Sequence, residues 1–104
     1  MESDLKLINK KIIEAETKGE VPANLYREQL RLLHFAHDEF IQKAKSQGYD
    51  LNNNLDVMEI EIKQYSAMKQ VAEKLGENTQ KYDTLIKDVR IRVLGEEAVK
   101  EYFS

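Results

Sequence analysis

YREQLRLLHFAHDEFIQKA, residues 26–44, decides the fold, because its apolar face repeats at alternating intervals of four and three residues. The repeating positions are Tyr26, Leu30, Leu33, His37, Phe40 and Ala44. This spacing places them along one side of an α-helix. The stretch therefore predicts a long amphipathic helix that lies against other helices.

The helix that contains this stretch is predicted to cover residues 23–47. Gly48 follows it, and glycine readily adopts the left-handed conformation that is common just past a helix end. Two lysines in the last turn complement the negative end of the helix dipole. Residues 49–54 are predicted to form the one substantial loop. A third helix is predicted over residues 54–75, with Asn53 and Asp56 as a variant capping box at its start.

Shorter helices are predicted on both sides of this pair. The first covers Asp4 to Thr17 with Ser3 as its N-cap, and the fourth begins near Asn78 or Thr79. A short final helix over residues 96–102 is optional.

Residues 89–93, VRIRV, alternate strictly between apolar and basic side chains, a pattern that is also typical of a half-buried strand. A lone strand would have no partner in an otherwise helical chain. We therefore predict that this segment is helical and belongs to the fourth helix.

The composition agrees with an all-α class, because charged residues make up 34% of the chain, hydrophobic residues 41%, and there is one Pro. We predict one domain over residues 1–104, an antiparallel helical bundle of three to four main helices with an optional short C-terminal helix. No apolar stretch at the start of the chain resembles a signal peptide or a membrane span. The chain has no Cys, which fits a reducing compartment, and we predict a cytoplasmic location.

The charge balance disfavours nucleic-acid binding, because the net charge is −3 and is spread evenly over both halves of the chain. The most basic segment is residues 87–92, KDVRIR. A nucleic-acid-associated regulator that uses this segment is kept as an alternative function.

The sequence contains no recognisable catalytic set and predicts neither an enzyme nor a cofactor. His34 and His37 lie three residues apart, a spacing that can hold a divalent metal, but the chain has no third His and no Cys to complete the site. A hydrogen-bonded structural role is favoured for His37, and a metal-binding helical protein around His34/His37 remains an alternative. Asp56, Glu59 and Glu61 are interpreted as acidic residues that complement a helix N-terminus.

Aromatic residues outside the predicted helix faces are the candidates for a partner-binding surface, because such residues are enriched at binding hot spots. They are Tyr49, with Leu51 beside it in the loop, and Tyr102 and Phe103 at the end of the chain. The helices also carry additional apolar residues beside their predicted contact faces: Leu7, Ile13, Leu25, Leu32, Phe35, Ile41, Val57, Ile60 and Val71. The sequence thus predicts a small protein-protein interaction module, a regulator, adaptor or inhibitor, that binds another protein or a second copy of itself.

Overall fold

The protein, represented by a computed structural model, is built of α-helices joined by short loops. The helices are α1 (Glu2–Thr17), α2 (Ala23–Ser46), α3 (Leu55–Lys74), α4 (Gln80–Leu94) and α5 (Glu96–Phe103). The structure describes residues 2–103, and the side chains of residues 4–101. The all-α prediction is confirmed, and residues 89–93 are helical within α4.

The helices form an open, antiparallel bundle. Over residues 2–103, close backbone approaches join each helix only to the helices next to it in the chain. The Cα atoms extend over 47 × 35 × 16 Å, and their radius of gyration is 15.7 Å. A compact domain of this length has a radius of about 13 Å. The bundle is therefore wide and thin, because α1 and α4 do not close against each other.

The core lies along the α2–α3 hairpin in two clusters of buried side chains. One cluster joins Ile12 of α1, Tyr26 of α2 and Val71 of α3. The other joins Met68 of α3 and Tyr82 of α4, both fully buried. The half-buried Leu30 and Leu33 pack against both clusters, so the predicted inner face of α2 contributes to both parts of the core.

Helix α1 lies beside only the first part of α2. Gln29 Nε2 donates to Asn9 Oδ1 at 2.8 Å, and the Tyr26 hydroxyl donates to Glu16 Oε2 at 2.7 Å. At 1.5 Å per residue α1 is about 24 Å long and α2 about 36 Å. The last turns of α2 consequently extend beyond α1.

A buried histidine connects α2 to α3. His37 is 7% exposed, and its Nδ1 donates to Gln64 Oε1 while its Nε2 accepts from the Tyr65 hydroxyl at 3.0 Å. Burial raises the pKa of Tyr65, and nearby Glu61 raises it further, so the hydroxyl stays protonated and able to donate. The prediction of a structural histidine bonded to a neighbouring helix agrees with these contacts.

A buried ion pair connects α3 to α4 and corrects the interpretation of Glu61. Its side chain is only 3% exposed and accepts a charge-assisted hydrogen bond from Arg92, whose side chain is 35% exposed. Glu61 lies too far into α3 to complement the N-terminus, and its position on the inner face turns it toward α4. Sequence alone placed Glu61 in the acidic group at the start of the helix because the pattern does not show which face α4 covers.

Two predicted helix starts are off by one or two residues. Asn54, and not Asn53, caps α3, because its Oδ1 accepts from the Val57 backbone N–H at 3.1 Å. Ser3 is inside α1 and not its N-cap, because the helix already includes Glu2. At the start of α4 the prediction agrees, since Asn78 Oδ1 accepts from the Gln80 backbone N–H at 2.9 Å.

Gly48 ends α2 as predicted, with a φ of +82°. Its N–H donates to the Lys45 carbonyl oxygen at 3.0 Å, and the Tyr49 N–H donates to the Ala44 carbonyl oxygen at 3.0 Å. This pair of bonds is a Schellman motif, which satisfies carbonyl groups left free at the helix end. The motif sets the direction in which the chain leaves α2.

We expect Gly48→Ala to lower the free energy of unfolding by about 1–2 kcal/mol, because a Cβ is strained at this φ. No atom lies within 4 Å of the position that the Cβ would occupy, so the loss comes from the backbone alone. Urea unfolding measures it. Gly48→Asn serves as the control and is expected to lose less, because Asn adopts the left-handed region more readily. Equal losses in the two variants would contradict this explanation.

Candidate functional site

A groove of about 340 Å³ lies at the open end of the α2–α3 hairpin, where α1 no longer covers it. Its lining combines the last turns of α2, the loop after it and the first turns of α3. The lining residues are Phe40, Lys43, Ala44, Gln47, Tyr49, Asn54, Asp56, Val57 and Ile60. We call this feature the hairpin groove.

The loop that presents Tyr49 to the hairpin groove is held by its own polar contacts. Asp50 accepts from the Asn52 backbone N–H and from the Asn53 side-chain amide, each at 2.9 Å. The hydrogen bonds from Asn53 and Asn52 lower the pKa of the Asp50 carboxyl. With the Schellman motif at one end and the Asn54 cap at the other, both ends of the loop are anchored.

The groove is apolar inside and charged at its edge. Tyr49 is 51% exposed and Ile60 is 40% exposed, while Phe40, which also lines the groove, is half-buried. Lys43 and Asp56 supply one charge of each sign. Two large apolar side chains held in a concave surface can bury the side chains of a partner. No reactive set of side chains accompanies them in the groove.

The structure gives the positions of two of the predicted partner-binding residues. Tyr49 lines the hairpin groove, and Leu51 is half-buried in the same loop without being among its lining residues. The side chains of Tyr102 and Phe103 lie outside the described residues. Their contribution to a binding surface remains a prediction.

Phe40 and Ile60 belong to the groove, but sequence reasoning did not assign them to a site. Phe40 was placed on the inner face of its helix, and Ile60 beside the contact face of the next one. The available signal was helix length, since the first predicted helix is much shorter than the second and cannot cover the whole of it. Length alone does not say which end stays open, and the contacts of Asn9 and Glu16 decide that.

The additional apolar residues beside the contact faces divide into three groups. Leu32, Val57 and Val71 are buried by other helices of the same chain. Leu25 and Ile41 are half-buried. The exposed group is Leu7, Ile13, Phe35 and Ile60. The surface available for self-association is therefore smaller than the sequence pattern alone indicates.

His34 and His37 do not converge on one point. His34 Nε2 lies 3.2 Å from the Tyr82 hydroxyl of α4, whereas both ring nitrogens of His37 face α3. Over the side chains that the structure describes, no group of three or more His, Asp, Glu or Cys residues is placed to hold a metal ion. The geometry gives the metal alternative no support.

Partial burial lowers the pKa of His34, and the positive charge of Lys81 lowers it further. The unfolded chain therefore binds a proton at this site more readily than the folded one, and stability falls as the pH drops from just above the unfolded value of about 6.5. We expect His34→Gln to lose less stability than the wild type between pH 7.5 and pH 5. Thermal unfolding across this range measures the difference, and parallel curves would contradict it.

The basic segment 87–92 does not present its cations as one surface. Arg92 is engaged by the buried Glu61 of α3. Lys87 and Arg90 instead line a separate cavity between α3, α4 and α5. A phosphate backbone would meet this segment with Arg92 already paired, so the geometry does not favour the nucleic-acid alternative.

None of the helices in residues 2–103 has the length and apolar character that crossing a membrane requires. Comparison with known proteins gives no family: no protein-family model matches the sequence, and neither a curated protein nor a solved structure is significantly similar to it.

Proposed function

We propose that this protein is a small non-enzymatic interaction module, a regulator, adaptor or inhibitor, that binds another protein or a second copy of itself through the hairpin groove. The observation that carries the proposal is the uncovered end of the α2–α3 hairpin, where the exposed Tyr49 and Ile60 line one groove with the half-buried Phe40. The proposal includes the cytoplasmic location expected from the composition.

The surface area of the chain supports a role in binding. The accessible surface is 7270 Å² for a chain of 12.1 kDa. A compact monomer of that mass exposes about 6,000 Å². The excess is larger than the roughly 800 Å² that each partner buries in a complex of standard size. Association through such an interface would bury most of it.

The shape of the groove favours an apolar anchor from the partner. A groove between two helices commonly accepts a third helix, whose apolar side chains recur every three or four residues. Here α1 already occupies the same side of α2 further toward Tyr26. A partner helix in the hairpin groove would continue the packing that α1 begins.

The test is site-specific photocrosslinking in cells of the native source. A benzoylphenylalanine residue replaces Tyr49 in one variant and Phe35 in a control, because Phe35 is an exposed aromatic residue of α2 that does not line the groove. We expect a discrete crosslinked product from position 49 and none from position 35. Mass spectrometry then identifies the product as a second copy or as another protein.

A second pair of variants tests whether the groove itself carries the binding. Ile60→Glu in the groove is expected to abolish the crosslink from position 49, whereas Leu7→Glu on α1, which is similarly exposed, is expected to leave it unchanged. Nuclease treatment of the extract before analysis excludes bridging by nucleic acid. Equal products from positions 49 and 35, or no product at all, would refute the proposal.

A further inference from the structure

A second and larger cavity, of about 790 Å³, lies between α3, α4 and α5 on a different part of the molecule from the hairpin groove. Its apolar lining is formed by Ile62, Ile86 and Ile91, each half-buried, and by the buried Val99. The volume falls within the roughly 300–1,000 Å³ range of small-molecule sites. The three half-buried isoleucines therefore lie on one concave surface.

The charged residues around this cavity favour an anion. Lys87 and Lys100 line it, and neither forms an ion pair with the other side chains that the structure describes. The carboxylate of Asp83 is already paired, since its Oδ1 lies 2.7 Å from Lys69 Nζ. Glu96 lies in the first turn of α5, where the helix dipole offsets part of its charge.

This local charge contrasts with the charge of the whole protein, which is −3. A cationic edge beside an apolar interior is complementary to a molecule with one anionic group and an apolar body. We propose that the cavity between α3, α4 and α5 binds an amphiphilic carboxylate, with its apolar chain against the isoleucines and its carboxylate at Lys87 and Lys100.

Dodecanoate, kept below its micelle concentration, is the probe. Calorimetry measures its affinity, and amide chemical shifts of the labelled protein locate it. Dodecyltrimethylammonium carries the same chain with the opposite charge and tests the electrostatic part of the proposal. We expect dodecanoate to bind, to perturb amides near Ile62, Ile86 and Val99, and to bind at least about tenfold more tightly than the cation.

The charge-reversed variant Lys87→Glu/Lys100→Glu is expected to weaken dodecanoate binding by about tenfold or more. Its control is Lys10→Glu/Lys18→Glu, which changes the net charge equally at exposed positions outside both cavities. Circular dichroism confirms that both variants are folded. The inference is overturned if the wild type does not bind dodecanoate, if the two amphiphiles bind equally, or if both double variants lose affinity alike. None of these outcomes bears on the hairpin groove, so the two proposals stand or fall separately.

Discussion

Tyr82→Ala is expected to lower the free energy of unfolding by about 3–5 kcal/mol, the largest loss among the substitutions considered. The Tyr82 side chain is fully buried and packs with Met68 and Ala72 of α3 and with Leu30 and Leu33 of α2. It is a residue of α4 that contacts both central helices. Removal of the ring leaves a cavity at that junction, and chemical unfolding measures the loss.

Tyr82→Phe distinguishes the contribution of the ring to stability from that of the hydroxyl. The variant keeps the packing and loses the contact with His34 Nε2, so we expect a loss of about 1 kcal/mol. Losses of similar size in the two variants would show that the hydrogen bond, and not the packing, holds α4 in place. A loss below about 1 kcal/mol for Tyr82→Ala would mean that α4 contributes little to the core.

Arg92→Met is expected to lower the free energy of unfolding by about 2–3 kcal/mol, because it leaves the Glu61 carboxylate buried without its partner. Breaking a fully buried ion pair costs about 3–5 kcal/mol. We expect the smaller value here because a third of the Arg92 side chain is exposed, and water partly screens the charge. Urea unfolding at constant pH and ionic strength measures the change.

Two controls isolate the effect of burial. Arg31→Met breaks the exposed pair between Arg31 and Glu28 and is expected to destabilise the protein much less than Arg92→Met, because solvent screens both charges. The double variant Glu61→Leu/Arg92→Met removes both charges and is expected to recover most of the stability lost in Arg92→Met. A double variant as unstable as Arg92→Met would contradict the account of an uncompensated charge.

The helices were predictable because their signals are local. The spacing of apolar residues defines each helix face, and Gly48 with a positive φ marks the end of α2 within the same few residues. Residues 89–93 show the limit of such signals, since their alternation fits a strand equally well and only the helical surroundings decide. The one-residue error at the Asn54 cap arises because adjacent asparagines offer equivalent side chains.

The candidate site was predictable only in part. Tyr49 was identified because a loop aromatic next to a helix end has no obvious core position, and the structure places it in the hairpin groove. Phe40 and Ile60 were not identified, because each has the spacing of a residue that a neighbouring helix covers. The partner that would cover them within the chain is α1, and α1 is too short to reach them.

The sequence by itself determined the all-α class, the approximate positions of the four main helices and the inner face of α2, since these depend on periodicity and on residues close together in the chain. Only the tertiary structure decided that Glu61 pairs with Arg92, that His34 and His37 face different helices, and that one end of the hairpin stays open. The physical reason is that a helix presents side chains in every direction around its axis. Which of them are buried depends on where the neighbouring helices lie, and that is set by contacts between residues far apart in the chain.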